Sequence, residues 1–167
     1  MKILSDEEFS IKLISGSTDT ESPKSQIWYN GKAINVFIDG EVCETCINYG
    51  DFYLVFTTND SPFEESLNIY FLDRNFTSLD HAVLVWPYGT GSFTLINLTE
   101  PNFIEFKFFG DATWRLELYP KQKIVIPYLS EPAGVWRRFK LKHHFKVSKK
   151  YASEATSNNL TKSSSGR

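Results

Sequence analysis

The chain has 167 residues, 41% hydrophobic and 16% aromatic, with a formal net charge of −2. That length fits one domain able to bury roughly 70% of its unfolded surface, so its stability requires no disulfide or metal staple. No run approaches the ~18 apolar residues of a membrane-spanning helix, and MKILSDEEFS reads as neither a signal peptide nor an anchor.

The expected setting is therefore the cytosol, where the N-x-T triplets at Asn75, Asn97 and Asn159 carry no glycosylation meaning. Fourteen Phe and eight Tyr favour a pleated, half-buried surface and tilt the class toward all-β.

Ser5-Asp6-Glu7-Glu8 has the composition of a helix N-cap and first turn, or of an extended lead-in. Phe9 to Ser15 alternates and reads as a strand. Gly16 to Ser25 is a polar loop. Gln26 to Thr58 reads as four strands with turns at Asn30-Gly31, Asp39-Gly40 and Tyr49-Gly50-Asp51. The first two dipeptides accept positive φ at both central positions of a hairpin turn.

In Phe52 to Phe56 both faces carry apolar weight, which predicts a central strand. Asn59 to Ser66 is a loop with room for one helical turn after Pro62. Strands follow at Leu67–Leu72, Ala82–Trp86, Phe93–Leu98, Phe103–Phe109 and Ala112–Tyr119. Lys123 to Leu129 carries Pro127, which predicts an edge strand or a strand end.

Val135 to Val147 alternates apolar residues (Phe139, Leu141, His143, Phe145, Val147) with mostly basic ones, and predicts one long strand. From about Ala152 the Ser, Thr and Asn content predicts a disordered tail, 151–167. The expected architecture is a single all-β domain over 1–150. It is an antiparallel sandwich or barrel of about ten to eleven short strands with little or no helix.

Catalytic motifs are missing from the sequence. Cys43 and Cys46 form a CxxC in a predicted strand, where alternation sends them to opposite faces. The redox version needs a helix N-terminus, and a zinc site needs a second pair. The three His, at 81, 143 and 144, match no metal spacing and are expected at the surface. Asp80-His81 is an acid–imidazole neighbour by adjacency alone. Gly89-Thr90-Gly91 precedes a strand and so lacks the context of a phosphate loop. No enzyme activity, metal or cofactor is expected.

Charge is segregated. Met1 to Trp136 carries nine Lys and Arg against nineteen Asp and Glu; Arg137 to Lys150 carries seven bases and no acid. Asp39, Glu41, Glu44, Asp51, Asp60, Glu64, Glu65, Asp73 and Asp80 face the single base Arg74 in that stretch. Acids favour turns and solvated faces, yet a block of them also steers and docks a basic partner. The basic segment suits a charged edge strand; nucleic-acid binding there is disfavoured by the acidic body.

The acidic block from Asp39 to Asp80, with the aromatic strand IYFL at Ile69 to Leu72, resembles in type the immunity proteins of bacterial polymorphic toxins, including contact-dependent growth inhibition systems. The resemblance implies a cytoplasmic inhibitor of one cognate basic toxin, an RNase or DNase, bound through those nine acids, with no membrane partner. Two other classes fit the composition. One is a β-barrel or sandwich binding a small ligand or carbohydrate on Trp28, Trp86, Trp114 or Trp136. The other is a structural assembly component.

Overall fold

The computed structural model describes residues 1–18, 21–61, 64–126 and 129–150. They form thirteen antiparallel strands and no helix: β1 (Lys2–Ile3), β2 (Phe9–Ser15), β3 (Lys24–Tyr29), β4 (Lys32–Asp39), β5 (Val42–Tyr49), β6 (Phe52–Thr58), β7 (Ser66–Asp73), β8 (Ser78–Val85), β9 (Thr94–Thr99), β10 (Phe103–Lys107), β11 (Thr113–Ile124), β12 (Val135–Trp136) and β13 (Lys142–Lys150). Three sheets result: a central one ordered β1-β5-β6-β7-β8-β12, one of four ordered β13-β11-β10-β9, and one of three ordered β2-β3-β4.

The central sheet is covered on both faces. Leu54 and Phe56 of β6, with Leu67, Ile69 and Phe71 of β7, pack on Ile104, Phe106, Trp114 and Leu116 of the four-stranded sheet. The alternate residues Tyr53, Val55, Tyr70 and Leu72 pack on Phe9, Ile27 and Ile38 of the three-stranded sheet. This is a three-layer stack, and it explains the apolar weight on both faces of Phe52 to Phe56. Trp114 is core and not a stacking platform.

The two hairpin-type dipeptides part company. Asn30 (φ 47) and Gly31 (φ 73) make the expected turn joining β3 to β4. Asp39-Gly40 joins no hairpin, because β4 and β5 belong to different sheets. Here the chain steps from one layer to the next. The Ser25 hydroxyl donates to the Gly40 carbonyl (2.6 Å) and the Thr57 hydroxyl to the Asp39 carbonyl (2.6 Å). A Cβ at Gly40 (φ 120) would lie 2.3 Å from Thr57 Oγ1, so only glycine fits.

Other expectations change for local reasons. Glu8 and Ser5 form a reciprocal capping box, but it closes a single turn. A bulge between Cys43 and Thr45 resets the alternation, so both cysteines pack against the same apolar cluster. The strand expected at Ala112–Tyr119 runs on in β11 to Ile124, with an irregularity between Leu118 and Lys123, so Lys123 and Ile124 alone of the strand expected at Lys123–Leu129 are strand among the described residues. The segment expected as one strand at Val135–Val147 is two, and they belong to different sheets. The helical turn expected after Pro62, the strand end expected at Pro127 and the tail expected at 151–167 fall on residues outside the described ones.

Gly40→Ala is expected to destabilise by about 3 kcal/mol or more, from strained φ and the clash with Thr57. Gly31→Ala, with open space around it, is expected to cost about 1 kcal/mol. Urea denaturation of both variants checks the contrast; equal effects would contradict the sheet-crossing role of Gly40.

Candidate functional site

The register of the central sheet sorts the nine acids. Val42 pairs with Thr58, Thr58 with Leu67, and Ser66 with Val85. The start of β5, the end of β6, the start of β7 and the end of β8 therefore share one end of the sheet. Glu41, Glu44, Asp60 and Glu64 are brought together there, with Glu44 accepting from the Thr58 hydroxyl (2.7 Å). Val42, Trp86 and Tyr88 at the same end are exposed. Tyr88 was not singled out in the sequence; its signal was the Trp86-Pro87-Tyr88 run closing a strand.

The remaining acids are elsewhere. Asp51 and Asp73 lie at the opposite end, where Asp51 pairs with Arg74 at 2.9 Å and Asp73 accepts the Asn75 and Thr77 amides of its own turn. Asp39 pairs with Lys24 and accepts from the Tyr70 hydroxyl. Glu65 is buried, accepting the amides of Asn59, Ser61 and Ser66. Asp80 is buried too. Glu65 and Asp80 thus shape the interior and offer no surface charge, which corrects their expected place in a docking surface.

Asp80 is the centre of a buried ionic cluster. Arg137 Nη1 lies 3.4 Å from its Oδ2, His143 Nδ1 lies 3.1 Å from its Oδ1, and the His144 amide donates to it at 2.7 Å. Arg137 Nη2 donates to Glu131 (2.6 Å), which also accepts the Val147 amide. His143 Nε2–H donates to the Lys140 carbonyl (2.7 Å) and His144 Nδ1–H to the Tyr119 carbonyl (3.0 Å). Both histidines are buried, contrary to the expected surface position.

Burial alone would raise the Asp80 carboxyl, but His143, Arg137 and the His144 amide together hold it below the ordinary carboxylate range. With Asp80, Arg137 and His143 side chains at most 1% exposed, no substrate reaches this carboxylate–imidazole pair, and its work is structural.

A cleft of about 530 Å³ opens on the other side of β8, between Asp39 and Phe37 of β4, Tyr70 and His81 on its floor, and Arg138 and Lys140 at its rim. Asp80 and His81, adjacent in sequence, diverge: Asp80 bonds to β13, while the His81 ring stacks on Tyr70 at 4.1 Å. Burial pushes His81 down to about 4, against the pull of Asp39 and Asp80. Its Nε2 is buried without a hydrogen-bond partner. None of the four Trp lines this cleft.

The cysteines are chemically quiet. Burial, then Asp6 and Glu44, pushes the Cys43 thiol up to about 12; burial also raises Cys46. Neither supplies a thiolate near neutral pH.

No family model, curated protein or solved structure matches the chain.

Two outcomes follow from the buried groups. Asp80→Asn, by uncompensating Arg137, is expected to cost about 3–5 kcal/mol. Asp51→Asn, which breaks an exposed pair, is expected to cost less than about 1 kcal/mol. Comparable losses in chemical denaturation would contradict the cluster's structural role.

His81 titrates at 6.5 ordinarily and at about 4 in the fold. The unfolded chain therefore binds the extra proton first, and stability falls as pH drops from 6.5 toward 4. The loss attributable to His81 is at most about 3 kcal/mol. Stability measured across that window should show a shallower slope for His81→Gln; an unchanged slope would contradict the assignment.

Proposed function

We propose that this protein is a non-enzymatic inhibitor of the immunity-protein type, capturing a basic toxin domain on the acidic end of its central sheet. The observation that carries the reading is the convergence of Glu41, Glu44, Asp60 and Glu64 around exposed Val42, Trp86 and Tyr88. Aromatic anchors surrounded by charge are the composition of interface hot spots. A nuclease site is basic because it holds phosphates, so an acidic surface both complements it and accelerates encounter.

The ligand-binding alternative draws less support. Trp114 is core, Trp28 lies under Lys12, and Trp86 and Trp136 are on the exterior. None of them lines the cleft beside β8, which is polar and charged.

The test is a pull-down from the native host with mass spectrometry, then stopped-flow association with the captured basic toxin domain, coupled to an assay of its activity. Wild-type protein is expected to inhibit stoichiometrically, with an association rate that falls as salt rises. Charge reversal at Glu41, Glu44, Asp60 and Glu64 should slow association on the order of tenfold or more at low salt and flatten the salt dependence. Reversal of Asp51, at the opposite end, should leave the rate unchanged. Unaltered kinetics in the quadruple variant would overturn the proposed docking end.

A further inference from the structure

We propose that the cleft beside β8 is a binding site for a small aromatic carboxylate, with Arg138 taking the carboxylate and Phe37 packing on the ring. The cleft exists because three strands cannot cover six. On the second face of the central sheet the cover ends at β4, where the Asp39 amide donates to the Tyr70 hydroxyl of β7 at 2.9 Å. β8 lies beyond that edge. His81 is therefore only partly buried, stacked on Tyr70 at the floor of a space of about 530 Å³. That volume falls in the range of small-molecule sites.

The charges in the cleft select an anion, and a singly charged one. Lys24 is paired with Asp39. Lys140 donates to the Leu79 carbonyl at 2.8 Å and lies 3.4 Å from Asp80. The Asp80 charge is already met by Arg137 and His143 on the other side of β8. Burial keeps His81 neutral near pH 7, so it adds no charge. Arg138 lines the same cleft, is exposed, and among the described residues its side chain makes no hydrogen bond or ion pair. One cation is left uncommitted. Its planar guanidinium accommodates a carboxylate through two parallel N–H bonds, whereas a phosphate ester brings close to two negative charges.

The cleft also offers flat aromatic surfaces. Phe37 of the edge strand is 51% exposed at one wall, and the His81 ring lies in the floor. Aromatic ligands pack offset or edge-on against such rings. The floor holds a polar atom that the fold leaves unsatisfied, His81 Nε2. Such atoms are few in native interiors, and each calls for an explanation beyond the fold's own packing. This site is separate from the tryptophans weighed as sugar platforms, and it does not rest on the acidic docking end.

The experiment is titration of the full chain with 2-naphthoate, followed by amide NMR, with neutral 2-naphthamide and 2-naphthyl phosphate run in parallel. The amides of Phe37, Ser78 and His81 are expected to shift saturably at millimolar naphthoate. The neutral amide should bind on the order of tenfold more weakly, as should naphthoate to Arg138→Gln. Phe37→Ala should weaken naphthoate binding by about fivefold. Charge reversal at Glu41, Glu44, Asp60 and Glu64 should leave it intact.

Arg138 and Phe37 are exposed, so both variants should unfold at the wild-type denaturant midpoint. Shifts that do not saturate, or that fall outside the cleft, would overturn the proposal. So would equal affinity for naphthoate and naphthamide, or undiminished binding to Arg138→Gln. Tighter binding of the naphthyl phosphate would overturn the choice of a carboxylate.

Discussion

Burial of the central sheet on both faces is the constraint on which the rest of the molecule depends. Tyr53 to Thr58 and Ser66 to Leu72 are buried without exception. A strand apolar on both faces is stable only under two covers, since each large side chain left in water forfeits about 1.5–3 kcal/mol. The four-stranded sheet covers one face and the three-stranded sheet the other. With both faces of the inner strands consumed, recognition falls to the ends of the sheet and to the loops around them. The acidic end near Glu41 is such a place.

Where local pattern and global packing agree, the sequence is readable. The double-sided apolar run at Phe52 to Phe56 predicts a central strand, and β6 is one. The alternation of Ile104, Phe106, Trp114 and Leu116 places those residues inward, where they are. The Asn30-Gly31 turn forms as its dipeptide predicts. Asp39-Gly40 shows the limit of such signals. The dipeptide supplies a glycine able to reach φ 120, but pairing is decided by which sheet each neighbouring strand joins. Likewise a bulge between Cys43 and Thr45 reverses a facing inferred from strict alternation.

The acids and bases repeat that lesson at longer range. Nine acids close in sequence separate into one end, the other end, the cleft and the interior, because antiparallel register sends successive turns to opposite ends. Only Glu41, Glu44, Asp60 and Glu64 remain together. The basic run divides as well: Arg137 goes inside to Asp80 and Glu131, while Arg138 and Lys142 stay outside. Arg137 and Asp80 are 57 residues apart, so no local pattern could announce their pairing. That buried cluster ties β8 to β13 across two layers and interrupts what alternation would draw as a single strand.

Native-state hydrogen exchange, followed residue by residue, tests this frame most directly. The amides of Tyr53–Thr58 and Leu67–Leu72 should exchange last, with protection equal to the global stability from denaturant unfolding, while β2 and β4 at the margins of the outer sheet open earlier. Stronger protection in β2–β4 than in β6 and β7, or exchange of β6 and β7 well below the global stability, would contradict a structure organised around its doubly covered sheet.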